Sequence, residues 1–365
     1  MTTKKIASPG KTLVTTTILA IETSCDETAI AVVECSGGFE KPFFKIRSNI
    51  VSSQVALHTR FGGIVPNLAK REHIKNLPTV LERALKKAKI ADPEQELDAL
   101  AVTTGPGLEP ALWTGITFAQ KLVEAWKLPV VSANHMEGHI AAVLLSQNNT
   151  KVKQIRFPAI ALLVSGGHTE LVLIKNWLNY HIIGETLDDA AGEAFDKVAR
   201  MLEFGYPGGP ILSRLARTGN RYAFSFPRPM IHSGDYNFSF SGLKTAVLYT
   251  LRDLKEKKIP FTKNDIAASF EDAVVDTLIT KTERAARALG AHTVILGGGV
   301  ASNKRLRSRM TTALKQNKLD IGLFLPRVSL TTDNAAMIAS AAYFHALRRD
   351  FVNWKKLRAH ATLGL

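Results

Sequence analysis

Two histidines four residues apart, in His135-Met136-Glu137-Gly138-His139, stand at the start of the apolar run Ile140 to Leu145. On a helix both rings leave one face about one turn apart, where they can hold a single metal ion; the same pair on a partly exposed helix is merely polar. The zinc-protease pattern H-E-x-x-H shares this spacing, but its glutamate directly follows the first histidine and works as general base. Here Glu137 stands two positions on, about 200° around a helix from His135, and is kept off their face. Leu128-Pro129-Val130-Val131-Ser132-Ala133 reads as a buried strand, so the histidines sit at a strand-to-helix junction, where α/β proteins bind ligands.

Other stretches carry the same kind of promise. Residues 17–33 form two β-rich runs around a polar turn, a hairpin whose tip presents Ser24, Asp26, Glu27 and Thr28. Such a tip can surround a metal-bound phosphate, or be a plain polar turn. Residues 158–174 repeat that layout around Val164-Ser165-Gly166-Gly167-His168, and the two glycines let backbone amides approach a phosphate or simply make the turn. Asp188 to Leu202 reads as a helix capped by Asp188, with Asp196 beside its buried stripe and within reach of a ribose hydroxyl. Gly208-Gly209 in Tyr206-Pro207-Gly208-Gly209-Pro210 lets backbone approach a flat ligand. Val294 to Asn303 is a strand running into three glycines and an asparagine, a shelf suited to a purine. Asp333 precedes the alanine-rich helix from Ala335, and the role its position favours is that of helix cap.

The elements that must position these residues alternate. Strand 98–104, glycine turn, helix 110–126 and the His135 strand imply a parallel or mixed sheet with crossover helices. From residue 157 the chain starts again, which reads as an internal duplication of supersecondary structure. At 365 residues two lobes are expected. The reading gives a basic extension over 1–17, an N-terminal lobe over 18–156 with a C-terminal helix 335–365 packing back on it, and a C-terminal lobe over 157–334.

Composition bounds the class. With 45% hydrophobic and 22% charged residues there is material for a sizeable core. No apolar run reaches the eighteen or so residues of a membrane span, so no membrane partner is expected. Cys25 and Cys35 make neither a disulfide framework nor a Cys-x-x-Cys pair, which suits a reducing compartment. A net charge of +15 calls for an acidic partner, nucleic acid foremost, or for a basic compartment such as the mitochondrial matrix. The first 17 residues hold three lysines and no acid, as a transit-peptide remnant or a disordered start would.

Together these features resemble the two-lobed ATP-binding fold of actin, the sugar kinases and the heat-shock chaperones, with duplicated ribonuclease H-like lobes. Within it the chain resembles the tRNA N6-adenosine threonylcarbamoyltransferases, formerly described as O-sialoglycoprotein endopeptidases. Eight stretches between residue 18 and about 340 carry the resemblance: 21–28, the His135 motif, 164–169, 188–197, 206–210, 238–245, 297–303 and 332–334. It implies one divalent metal ion per subunit, zinc or iron, on His135, His139 and Asp333. It implies that Val164, Ser165, Gly166, Gly167 and His168 line the phosphate and metal site, that Asp196, Gly209 and Asn303 hold adenosine, and that Asp26 and Glu27 shape the reacting end. The implied substrate is threonylcarbamoyl-adenylate, supplied by a separate synthase. The implied acceptor is the N6 amine of the adenine 3′ of the anticodon in tRNAs reading ANN codons, and a homodimer is expected. Leu163 and His168 look like the bacterial and mitochondrial branch, and the basic chain most like the mitochondrial matrix member, with the bacterial cytoplasm as alternative. Two rivals remain: a metal-dependent glycopeptidase, against which the misplaced Glu137 argues, and an actin- or chaperone-like ATP-dependent switch, which leaves His135, His139 and Asp333 unused.

Overall fold

A strand buried on both faces is apolar through its middle, as Ile18-Leu19-Ala20-Ile21 is, and Thr16–Glu22 is buried at every position. It is the centre of the first of two units in this computed structural model, which describes residues 15–146, 154–316 and 320–365. The basic extension expected over 1–17 lies outside the described residues as far as position 14. The first unit takes the chain up to Gln54, Val65–Gln154 and Asp333–Leu365; the second takes Val55–Ile64 and Ile155–Thr332.

In the first unit β1 (Thr16–Glu22), β2 (Glu27–Ser36), β3 (Phe43–Ser53), β4 (Ala99–Gly105) and β5 (Val130–Asn134) form a sheet ordered β3-β2-β1-β4-β5. β1, β2 and β3 pair antiparallel, whereas β4 and β5 run parallel to β1. The Pro66–Ala88 and Glu109–Trp126 helices bury Leu77, Val80, Ile116 and Val123 against Leu19, Ile21, Ile30 and Val102. The Ala335–Arg348 helix packs on β1, β2 and β5. The alternation of a strand assigns it the opposite face, lined by Ile18 and Ala20.

The second unit repeats this plan. β6 (Ala159–Val164), β7 (Thr169–Asn176), β8 (Asn179–Glu185), β9 (Thr293–Gly297) and β10 (Gly322–Phe324) are ordered β10-β9-β6-β7-β8. β6, β7 and β8 pair antiparallel, and β9 and β10 run parallel to β6. Element for element this is the first sheet over again, so the duplication read from the two hairpins is a duplication of topology. The long Lys263–Ala288 helix forms the second core, with Phe270, Val274 and Leu278 packed among Phe195, Phe238 and Phe240.

Two expectations are corrected. The helix expected from Asp188 begins at Ala191, and Asp188 does not cap it. Its first amides are satisfied by the β6–β7 turn, Ala191 N–H donating to Thr169 Oγ1 (2.9 Å) and Gly192 N–H to the Ser165 carbonyl (3.1 Å). Asp188 instead accepts from the N–H groups of Phe240 (2.8 Å) and Ser241 (3.2 Å), and so caps the Ser241–Glu256 helix more than fifty residues away. The C-terminal helix expected over 335–365 stops at Arg348, because Arg349 turns left-handed at φ +62°. Beyond it the chain threads back over the end of β4, where His360 N–H donates to the Thr104 carbonyl and Gly107 N–H to that of Ala361. Gly105 is required there, since a Cβ would lie 2.0 Å from the His360 carbonyl oxygen.

The β7–β8 register sets Glu170 opposite Glu185, a like-charge cross-strand pair. Burial first, and the Glu185 charge second, push the Glu170 carboxyl up to about 7, and its Oε2 has no hydrogen-bond partner. A folded pKa above the ordinary 4.5 means that the folded chain keeps a proton the unfolded chain has released. This contribution is therefore full below pH 4.5 and is lost as pH rises to about 7. Glu170→Gln should match the parent at pH 4 and exceed its stability by about 1–3 kcal/mol at pH 8. Denaturant titrations at both pH values check this, and an equal offset at each would contradict it.

Candidate metal centre and ligand loops

Ligand sites of parallel sheets gather at the carboxyl ends of the strands. In the first unit the ends of β1, β4 and β5 bring Glu22, Thr103 and His135 together. Glu22 is fully buried, and its carboxylate accepts from Ser24 N–H (2.5 Å) and Thr103 Oγ1 (2.7 Å). The same carboxylate lies 3.1 Å from His135 Nδ1, as does Ser24 Oγ. With Nδ1 so engaged, Nε2 of His135 faces Asp333 Oδ1 at 3.4 Å, and Nε2 of His139 faces the same oxygen at 3.3 Å. The imidazoles meet edge to face with centroids 4.7 Å apart.

Local sequence explains how these residues meet. Asn134 caps the short His135–Ala141 helix, its side chain accepting from Met136 N–H (2.7 Å), and its amide donates to the Gly364 carbonyl (3.0 Å). Gly138, between the histidines, allows the Ala335–Arg348 helix to close in; a Cβ there would meet Ile338 Cδ1 at 2.9 Å. That approach delivers Asp333. The cap of the Ala335–Arg348 helix is Asn334, which accepts from Met337 N–H (3.2 Å), so the helix-cap role favoured for Asp333 is taken by its neighbour. Asp333 is left to face the imidazoles.

The electrostatics suit a cation. Burial would raise the Asp333 carboxyl, but charge on His135 and contacts with both histidines hold it far below the carboxylate range. Burial lowers His139 toward the neutral form. His135 is buried as well, yet the Asp333 and Glu22 carboxylates raise it well above the ordinary imidazole value. Both ring nitrogens of His139 are buried without a hydrogen-bond partner, a costly state that a metal bond would relieve. One donor atom each from His135, His139 and Asp333 lies within 4.8 Å of the others. Two imidazoles and a carboxylate with a carboxylate behind one imidazole fit zinc, iron or manganese.

The β1–β2 turn lies against this centre. His73, buried in the Pro66–Ala88 helix, ties the turn down through Thr28 Oγ1 (2.8 Å) and the Cys25 carbonyl (3.0 Å). Asp26 Oδ2 is buried without a hydrogen-bond partner. Glu27 accepts from Ser53 Oγ (3.2 Å). Burial, with Asp333 and Asp26 nearby, pushes the Glu27 carboxyl up to about 10. Burial and the same carboxylates keep the Cys25 thiol protonated and unreactive. Glu137 turns away to His345 Nε2, 2.8 Å from its Oε2.

In the second unit the corresponding strand ends carry turns. After Val164, Ser165 Oγ accepts from the N–H groups of Gly167 (3.3 Å) and His168 (3.1 Å), and Gly166 and Gly167 are exposed. Beside it Gly298, at φ +85°, permits the β9 turn to approach, since a Cβ would stand 2.4 Å from the Val164 carbonyl oxygen. Asp196 accepts from Gly208 N–H (2.7 Å) and Gly209 N–H (3.2 Å), which joins two of the expected adenosine residues directly. The Asn303 amide donates to Glu271 (2.6 Å) and Ser213 (2.9 Å), while its oxygen accepts from Leu306 N–H. Glu22, Thr103, His73 and Glu271 were missed as site residues. Glu22 had a signal, being a lone charge at the end of a buried strand; Thr103 and His73 had none.

Residues 45–340 match the family described as TsaD, tRNA N6-adenosine threonylcarbamoyltransferase. A tRNA N6-adenosine threonylcarbamoyltransferase of Thermosipho melanesiensis is 51% identical over 327 residues, 89% of this chain and 94% of its own. One of Bacillus cereus is 49% identical over 326 residues, 89% of this chain and 90% of its own. A crystal structure of full-length HypF in the phosphate- and nucleotide-bound form superposes with a TM-score of 0.57 at 14% identity, over 93% of this chain and 56% of that one. The T. kodakarensis HypF structure gives 0.59 at 14% identity, over 93% of this chain and 48% of its own. The chain thus spans about half of each HypF chain, and the likeness is one of fold, in keeping with the actin-like architecture of the repeated sheets.

Asp333→Asn separates a metal ligand from a structural acid. Because Asn334 is the cap, the Ala335–Arg348 helix should keep its start, and the helical content of the metal-free chain should change little. Zinc or manganese affinity should fall at least tenfold, since a neutral amide is a poorer ligand than a carboxylate. Calorimetric titration with the metal alone reads the loss; full affinity in the variant would remove Asp333 from the centre.

Proposed function

The chain belongs to the tRNA N6-adenosine threonylcarbamoyltransferase family, and we propose that it carries out that acyl transfer through the His135, His139 and Asp333 centre. The donor in this reading is threonylcarbamoyl-adenylate made by a separate synthase. The acceptor is the N6 amine of the adenine 3′ of the anticodon in tRNAs reading ANN codons. The observation that carries the site is the buried imidazole of His139, with neither nitrogen hydrogen-bonded, beside His135 and Asp333.

The amine is a weak nucleophile, because its lone pair is delocalised into the purine. Activation therefore falls on the carbonyl and on the leaving phosphate. When bound, a divalent ion supplies Lewis acidity to the acyl or phosphate oxygens. The new bond joins N6 to the carbamoyl carbon, the carbon–oxygen bond to the phosphate breaks, and AMP leaves with that electron pair. The N6 proton goes to a carboxylate. We assign it to Asp26, whose buried Oδ2 is unpartnered, rather than to Glu27, whose carboxylate already accepts from Ser53. His73 holds the turn that presents Asp26. Asp196, Gly209 and Asn303 take the adenosine in this reading, and the Val164 to His168 turn the phosphate. Asn303 would act through the cap of the Lys304–Gln316 helix as much as by contact.

The glycopeptidase alternative lacks its base, since Glu137 is paired with His345. An ATP-driven switch would give the histidine centre nothing to do. Both relatives described above are bacterial, which favours the bacterial cytoplasm over the mitochondrial matrix as compartment and lends the latter no support. No helix among the described residues is long and apolar enough to cross a membrane. The homodimer stays part of the proposal.

Incubation with the adenylate-forming enzyme, threonine, bicarbonate, ATP and unmodified tRNA should yield threonylcarbamoyladenosine in nucleoside mass analysis. Asp26→Asn should lower the rate by roughly 100-fold or more while AMP binding persists. Glu27→Gln should cost less. A larger loss from Glu27→Gln than from Asp26→Asn would reverse the assignment of the base.

A further inference from the structure

Glu137 stands between the two histidines in sequence, and the pitch of a helix puts it on the far side from His135. Its side chain is buried, and a buried carboxylate is costly unless it is paired. The partner is His345, whose Nε2 lies 2.8 Å from Glu137 Oε2, while Asp350 Oδ2 lies 3.3 Å from Nδ1 of the same ring. Burial works against charge on His345, but the Glu137 and Asp350 carboxylates raise it above the ordinary imidazole value. That favours an ion pair, and one largely shielded from water, since the His345 and Glu137 side chains are 22% and 11% exposed.

Both partners belong to helices of the first unit that make the metal centre. The His135–Ala141 helix carries two of the ligands, and the Ala335–Arg348 helix follows Asp333 by one residue. These helices meet at Gly138, where Met337 and Ile338 close in. A helix of seven residues has few hydrogen bonds of its own, so its attitude is set by its neighbours. Contact at a single point would leave it free to roll and swivel. His345 lies seven positions beyond Ile338, roughly 10 Å along the axis, so the bond to Glu137 is a second point that stops both motions. Any roll of the short helix moves the carboxylate on one side and the imidazoles on the other together. A ligand set loses its geometry beyond about 0.5 Å or 10–20°, so this second point matters to the metal.

We propose that Glu137 and His345 are positioning residues of the metal centre, their bond setting the roll of the His135–Ala141 helix and so aiming His135 and His139 at Asp333. The proposal rests on the metal centre of the proposed function. It gives a task to the glutamate that, one position earlier, would be the base of a peptidase.

Calorimetric titration with zinc or manganese alone compares the parent chain with Glu137→Ala, His345→Ala, the double alanine variant and Glu137→Gln, with a metal-free melting temperature for each. Either alanine variant should bind the metal roughly tenfold more weakly. The double variant should bind no more weakly than the singles, because each single change already breaks the pair. Glu137→Gln keeps the shape of the side chain and a hydrogen bond to the imidazole, and should stay within about threefold of the parent. His345 is partly exposed, so His345→Ala carries the test if Glu137→Ala does not fold. A lowered melting temperature with parental metal affinity in the alanine variants would make the pair merely structural and overturn the proposal. So would losses that multiply in the double variant, since the two residues would then act separately. A parent chain that binds neither metal would overturn the centre itself, an outcome distinct from the other two.

Discussion

The contact on which the first unit depends is the one between the fully buried Glu22 carboxylate and Nδ1 of His135. A carboxylate withdrawn from water costs several kcal/mol unless its lone pairs are filled, and these are filled from three directions. Ser24 N–H comes from the turn after β1, Thr103 Oγ1 from β4, and His135 from the helix after β5. Satisfying one acid therefore fixes three neighbouring strand ends with respect to one another. It also fixes the tautomer: with Nδ1 bound to Glu22, the other ring nitrogen faces Asp333 and His139, as a metal ligand backed by a carboxylate would.

The two sheets have one topology and different endings. At the ends of β1, β4 and β5 the first unit places acids, hydroxyls and imidazoles. At the ends of β6 and β9 the second places glycine turns that touch through Gly298 and Val164. In each case the strand ends hold side chains or turns at hydrogen-bond distances, and the identity of the terminal residues decides what the end can bind.

How much of this was legible follows from how local each signal is. Both hairpins, the helix over 110–126 and the His135 pair are written in consecutive residues with a clear period, and the structure has them within a few positions. Helix caps were less legible because capping residues sit side by side. Asp333 and Asn334 are both good caps by type, and only the packing of the following helix decides that Asn334 caps and Asp333 faces inward. Asp188 is a cap by type too, but for a helix that follows it by more than fifty residues. Thr103 and His73 were invisible for the same reason: a threonine in a strand and a histidine in a helix acquire roles only when β1 lies against β4, and when the helix lies under the β1–β2 turn. The His135, His139 and Asp333 set depended on family resemblance, since nothing in the spacing links Asp333 to residues two hundred positions earlier.

The central claim is that two imidazoles and one late carboxylate form a single divalent-metal centre. Crystals of the chain soaked with zinc or manganese, with anomalous diffraction at the metal edge, test it most directly. The account predicts one dominant peak per chain, bonded to Nε2 of His135, a ring nitrogen of His139 and a carboxylate oxygen of Asp333, with Nδ1 of His135 still on Glu22. A crystal with no peak there, or with the metal held by Asp26 and Glu27 alone while His139 stays unbound, would contradict it.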